Sequence, residues 1–418
     1  MTATAPREKS PAAVFLPLVL PALVVGVLSG LVLLGVSAVA DQLEQLLWTS
    51  VPQALGLTGN SPAWVMLILT LTGAAVGLVI WKVPGHAGPD PATTGLIEAP
   101  LAPAVLPSLL LALVLMLAGG VSLGPENPIM AVNTGMIVAL GHRLLPRVGQ
   151  RAWVGLASAG MIAAMFGTPV AAALLLSEAM TGDGETPLWD RLFLPLVAAG
   201  AGALTTDLLA PGLSFALPIT SYPGPQLMDL VTGCIIASLG ALCGLAAVYA
   251  FPRAHELFHR IQNPLLMVTA GGILLGVLGV VGGPVSLFKG FDQMKELTQN
   301  AASYSAGGLA MLAIVKLVAM LIAGTSGFRG GRIFPSVFVG VALGLSASAL
   351  VPAVPQALAV PCAVLGVLLA ISRQGWLSIF LAAALVPDVR LLPILSVVIL
   401  PAWLLITGRP QMIVSKDQ

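Results

Sequence analysis

The residue with the most pointed chemistry is Glu126, an acid set within Gly119-Gly-Val-Ser-Leu-Gly-Pro-Glu-Asn-Pro128, between two apolar stretches. A carboxylic acid among membrane-spanning segments marks an ion pathway or a proton relay; the alternative is an interfacial acid in a loop that emerges into water. A second Gly/Pro-rich break, Gly324-Thr-Ser-Gly-Phe-Arg-Gly-Gly-Arg-Ile-Phe-Pro335, carries Arg329 and Arg332. A helix that begins after a glycine turn presents unpaired N–H groups and the positive end of its dipole, which together attract an anion. Pro125-Glu126-Asn127-Pro128 and Gly331-Arg332-Ile333-Phe334-Pro335 fit such starts, with proline tolerated in a first turn. Glu126 at such a start could occupy the place of an anion and act as a protonatable plug. The plainer reading of the glycines is close helix packing. Arg329 and Arg332 either add to anion attraction or pair with Glu126, Asp90 or Asp292, while Lys289 and Asp292 read as an interfacial loop around Gly290.

A rival chemistry is written at His255-Glu-Leu-Phe-His259, which matches H-E-x-x-H. On a helix it would put two imidazoles on one face, with Glu256 as the general base of a zinc protease. It lies between Pro252-Arg253 and Arg260-Ile-Gln-Asn-Pro264, a stretch that reads as a short polar connection, and no third ligand stands out downstream. Zinc chemistry is therefore the remote alternative, and no metal or cofactor is expected. No Walker loop or dinucleotide fingerprint is present. Cys234, Cys243 and Cys362 lie in apolar segments without pairing or metal-ligand spacing.

The elements that must position Glu126 are membrane helices. Of 418 residues, 57% are hydrophobic and 8% charged, against roughly 25% charged in a soluble domain, and mean hydropathy is +1.00. Pro11–Ala40, Ala63–Val83, Leu101–Leu123, Leu227–Pro252 and Pro264–Phe288 are nearly charge-free, and about 20 such residues span a bilayer. The first block is too long for a signal h-region, and Arg7 and Lys9 before it place the N-terminus in the cytoplasm. A net charge of +1 leaves no basic patch for nucleic acid. With 46 glycines and 33 prolines, many in and between apolar segments, helices must be short, tilted or broken. Such backbone survives at membrane depth only where protein or a cavity covers it. Ile129–Gly141 and Ile333–Leu350 are short for spans. Polar connections near Asp183–Arg191 and Pro218–Gln226 divide the chain into halves of about 14–206 and 226–409, each with one break. That pairing points to an inverted repeat with a binding site at the repeat interface. Residues 1–13 are expected as a cytoplasmic segment, 14–412 as the membrane domain and 413–418 as a short tail, without a soluble regulatory domain.

These segments resemble the CLC family of chloride channels and proton-coupled chloride exchangers. Leu123-Gly-Pro-Glu-Asn-Pro128 looks like the family's Gly-Arg-Glu-Gly-Pro signature, with Glu126 at the gating glutamate. Ser326-Gly-Phe-Arg-Gly-Gly-Arg-Ile-Phe-Pro335 resembles Gly-Gly-Ile-Phe-Ala-Pro, and Phe166-Gly-Thr-Pro-Val170 followed by Glu178 resembles the Asn-Ala-Pro segment. Gly85-His-Ala-Gly-Pro89 stands where the family has Gly-Ser-Gly-Ile-Pro. The resemblance runs from about residue 14 to 412, and His86-Ala-Gly-Pro-Asp-Pro91 with Gly282-Gly-Pro-Val-Ser-Leu-Phe-Lys-Gly290 looks like the YfeO-like bacterial branch. It implies an all-α, multi-pass bundle of two inverted-topology repeats, a homodimer with one pore per subunit in a bacterial inner membrane, and transport of a small anion such as chloride. It implies Glu126 as gate and an anion site formed by Gly124, Asn127, Gly331, Arg332 and Ile333, with His86 and Met412 at its inner side.

Three departures qualify the expectation. His86 replaces the family's anion-contacting serine and would either donate to an anion, more strongly when protonated, or cap a turn. Met412, in Gly408-Arg-Pro-Gln-Met412, replaces a tyrosine and offers no hydroxyl. Ala179 stands at the usual proton-entry glutamate, one residue after Glu178. Either Glu178 has taken over the relay, or transport is uncoupled or weakly coupled; the latter is the leading expectation.

Overall fold

The computed structural model describes residues 11–179, 187–211 and 215–414. Regular structure among them is helical: α1 (Pro11–Gln45), α2 (Val51–Ala54), α3 (Pro62–Lys82), α4 (Leu106–Ala118), α5 (Glu126–Leu144), α6 (Gln150–Phe166), α7 (Pro169–Ala179), α8 (Leu188–Leu209), α9 (Leu227–His259), α10 (Pro264–Gly282), α11 (Phe291–Gln299), α12 (Ala306–Thr325), α13 (Ile333–Leu350), α14 (Gln356–Ser372), α15 (Gly375–Leu385) and α16 (Leu391–Ile406). This is the expected solution for a chain in lipid, where each backbone amide needs an internal partner. Seven helical stretches among the described residues are long and apolar enough to cross a membrane, and five apolar helices are shorter. Most of the expected N-terminal segment and tail, and Met180–Thr186 of the polar connection, lie outside the described residues.

Several expected boundaries move. Leu101–Leu123 contains only the 13-residue α4, about 20 Å long at 1.5 Å per residue and short of a roughly 30 Å hydrocarbon core. Gly119 and Gly120 end it, and Gly120 takes φ +82°, open to glycine without strain. At the other extreme, the 33 residues of α9 extend about 50 Å. The stretch around His255–His259 is therefore the last turn of α9, not a connection. Asp292 likewise belongs to α11 and not to an interfacial loop.

The chain clusters into two compact units. In the first, residues 11–35 and 133–211, α6 packs against α7 and α8. Ser29 and the Ala157 carbonyl accept hydrogen bonds from the fully buried Asn133 amide at 3.0 and 2.9 Å. Glycine makes the close approach possible, since a Cβ on Gly202 would collide with the Gly160 carbonyl.

The second unit, residues 36–132 and 215–414, holds both Gly/Pro breaks. There α3 packs on α10, α14 lies between α9 and α13, and α16 packs on α9. Its core is built from Ala, Val and Leu of α9, α14 and α16. A buried cation braces the turn before α11: Lys316 of α12 is fully enclosed and donates to the carbonyls of Ser286, Leu287 and Phe288 at 2.9, 3.0 and 2.6 Å. Phe288 in turn donates its amide to Gly120 at 3.0 Å, and Ser122 Oγ donates to the Ser286 carbonyl at 3.2 Å. Trp48 Nε1 donates to the Ala118 carbonyl, where α4 stops, at 2.9 Å. The first break is thus held by the Ser286–Phe288 turn, which Lys316 fastens from behind, and by Trp48.

Candidate functional site

The two breaks meet each other. Gly124 donates its amide to the Gly331 carbonyl at 2.9 Å, and Gly331 returns the bond to Gly124 at 2.7 Å, forming an antiparallel bridge. Each glycine stands two residues before a helix, α5 at Glu126 and α13 at Ile333, and four before a proline, Pro128 and Pro335. Proline lacks an N–H, so each helix makes its first backbone bond one residue later, from Ile129 to Pro125 at 2.9 Å and from Ser336 to Arg332 at 3.2 Å. The reciprocal bridge therefore joins two equivalent helix starts, each with amides free of helical partners.

Glu126 fills the space between them. It is fully buried, and its Oε1 accepts the Phe334 amide at 2.7 Å, while the amides of Ile333 and of Glu126 itself also face the carboxylate. Oε2 has no hydrogen-bond partner among the described residues. A Cβ on Gly124 or on Gly331 would collide with this carboxylate, so glycine is required at both places by space. The donor is fixed from behind by Phe334, whose ring packs with Phe215 and Phe291 at centroid distances of 5.6 and 6.1 Å. A helix terminus in a partly buried setting contributes up to about 2 kcal/mol to a bound anion. Burying a carboxylate costs several kcal/mol.

Around this seat the guanidinium groups hold backbone. Arg332 donates to the carbonyls of Met412 and, at 3.2 Å, Thr94; Asn127 Nδ2 donates to Gly95 at 3.1 Å. Buried Arg329 donates to Ala87 at 3.0 Å, Gly88 at 3.2 Å, Gly327 at 3.2 Å and His86 at 3.4 Å, all through main-chain oxygens. Neither arginine forms an ion pair with Glu126, Asp90 or Asp292; the second sequence reading gives way because carbonyls of the adjoining loops reach them first. A cleft lined by Asp41, Glu44, Trp48, Lys289 and Asp292 reaches Pro125, the residue before Glu126.

Of the expected site residues, Gly124, Glu126, Asn127, Gly331, Arg332 and Ile333 come together here, and buried Met412 joins through its carbonyl. His86 does not bond to this cluster. It lies in a turn where Gly85, His86, Ala87 and Gly88 all have positive φ, and its Nδ1–H donates to Ile80 near the end of α3 at 2.8 Å. Glu178 is exposed near the end of α7, in the other compact unit.

The sequence reading missed two clusters. Lys316 carries its own signal, a charge inside an apolar helix. The other is Asp90 with His255 and His259, whose ligand atoms lie within 4.8 Å of one another. The carboxylate that faces the two imidazoles of H-E-x-x-H lies upstream of them, at Asp90. Burial opposes the charge on Asp90, yet hydrogen bonds from His255, His259 and the Ala92 amide hold its carboxyl well below the usual range.

The model of the voltage gated chloride channel family matches residues 72–406. The chain is 54% identical over 399 residues to "Putative ion-transport protein YfeO" of Escherichia coli (strain SMS-3-5 / SECEC), with 96% of this chain and 95% of that one covered. The protein of the same name in Escherichia fergusonii shows the same 54% identity and coverage of 96% and 95%. In fold the chain is similar to a slow cyanobacterial Cl−/H+ antiporter, with TM-score 0.78, 19% identity, and 94% of this chain and 95% of that one covered. It is also similar to a CLC-type fluoride/proton antiporter, with TM-score 0.70, 18% identity and coverage of 97% and 98%. The family match spans most of the chain, and the fold is that of CLC transporters. This multi-pass membrane protein, a transporter and not an enzyme, belongs to the voltage gated chloride channel (CLC) family of anion-transport proteins.

Proposed function

We propose that the chain carries small inorganic anions, chloride foremost, across a bacterial inner membrane along a path between the starts of α5 and α13, with Glu126 as a protonatable gate. The observation that carries this reading is the hydrogen bond from the Phe334 amide to Glu126 Oε1, 2.7 Å long: the carboxylate sits where an anion would use the same donor. Protonation weakens it as an acceptor, and its departure frees the amides of Ile333 and Phe334 for the transported ion. Gly124 and Gly331 keep the seat clear, and Asn127 and Arg332 hold its walls. Met412 closes the inner side with an apolar side chain, and His86 caps α3. The repeat halves 14–206 and 226–409, a homodimer with one path per subunit and a cytoplasmic N-terminus belong to the same proposal.

Transport in this reading is uncoupled or weakly coupled to protons, because Ala179 occupies the usual entry position. A second reading, proton/anion exchange with Glu178 as relay, draws support from the two antiporters named above. The test is anion efflux from proteoliposomes with and without a proton ionophore. Chloride leaves faster than from protein-free vesicles; if chloride, nitrate and fluoride all leave at the protein-free rate, the transport reading falls.

A further inference from the structure

We infer that Asp90, His255 and His259 form a binding site for a divalent transition-metal ion of the zinc class, which ties the end of α9 to the turn carrying His86. His255 and His259 stand one turn apart on α9 and direct both Nε2 atoms at one oxygen, Asp90 Oδ2, at 2.8 and 3.2 Å. In a tetrahedral zinc site with bonds of about 2.0–2.1 Å, neighbouring ligand atoms lie roughly 3.3 Å apart. A retreat of the Asp90 carboxylate by about half an ångström makes room for the ion.

The surrounding bonds prepare each ligand. His259 Nδ1 donates to the His255 carbonyl at 3.0 Å, so the Nε2 that faces Asp90 is the atom left for a metal ion, which would displace its proton. Asp90 Oδ1 accepts the Ala92 amide at 3.0 Å, so Oδ2 serves as a single donor. The two rings stack with centroids 3.7 Å apart, and His259 is 37% exposed, which leaves water access for a fourth ligand. Two imidazoles and one carboxylate suit zinc over calcium or magnesium. Glu256 contributes no ligand atom to this group. The nearby Arg329 guanidinium opposes a cation, so the affinity is moderate.

The ion would add a link to a region already fastened by Arg329 to His86, Ala87 and Gly88, and by the Val414 amide to Ala92 at 2.8 Å. Its expected effect is to slow flux, a consequence that rests on the transport reading; metal binding itself does not.

The test loads the chelator-treated full-length chain in detergent with zinc against a competing indicator. One zinc binds per chain, and His259→Ala and Asp90→Asn each raise the dissociation constant by about tenfold or more, whereas His142→Ala does not. His259→Ala removes a partly exposed ring and keeps the test valid if Asp90→Asn fails to fold. Absence of binding at tens of micromolar zinc (on the order of a weak site), or equal binding by wild type and His259→Ala, overturns the site. In proteoliposomes, zinc slows wild-type chloride efflux and a chelator restores it, with His259→Ala insensitive. Unchanged efflux with the site filled overturns the effect on flux and leaves the site standing.

Discussion

At the scale of the residue, Glu126 is closely fitted between two glycines, Gly124 and Gly331. All three nearest atoms to a Cβ built on Gly124 belong to the Glu126 carboxyl group, so the two positions are coupled through space alone. Gly124→Ala should lower stability by about 1–3 kcal/mol, as overpacking does, and most of that loss should vanish in a Glu126→Ala background. Thermal or denaturant unfolding of the four proteins in detergent measures this coupling; additive losses would show that the carboxylate sits elsewhere. Glu126 was legible in the sequence because an acid between apolar stretches is rare and Gly/Pro punctuation surrounds it. Asp90 was not, since it meets His255 only across 165 positions, a separation over which spacing carries no information. Lys316 was legible in principle; its role as a brace for three carbonyls depended on where the Ser286–Phe288 segment returns.

At the scale of the element, the starts of α5 and α13 frame Glu126 and the turns behind them keep them in place. The sequence showed two breaks and two first-turn prolines. Their direct pairing through Gly124 and Gly331 is a long-range backbone contact, with no side-chain pattern to announce it. The same limit applied to α4, whose apolar neighbourhood looked long enough to span while the glycines after Ala118 ended the helix. His86 separates two element-level roles. With its Nδ1–H committed to Ile80, His86→Ala should cost about 0.5–1.5 kcal/mol of stability, one net hydrogen bond, and leave the relative flux of chloride and nitrate unchanged. An altered anion preference would assign the ring to the path instead.

At the scale of the whole molecule, composition alone established the membrane setting, and the ordered set of motifs established the family, because lipid restricts the chain to helices and the breaks carry recognisable signatures. Coupling to protons was not legible: it depends on whether Glu178, at the end of the short α7, exchanges protons with Glu126. The expectation is that an imposed chloride gradient drives little or no proton uptake, and that Glu178→Gln leaves chloride flux unchanged; strong uptake abolished by that substitution would establish the exchanger. The central claim is that the Glu126 carboxylate occupies the anion's place until protonated. It is tested most directly by chloride efflux from proteoliposomes across a pH series, wild type beside Glu126→Gln. Wild-type efflux should rise as pH falls and Glu126→Gln efflux should be fast at every pH; a Glu126→Gln protein that keeps the wild-type pH dependence would show that this carboxylate is not the gate.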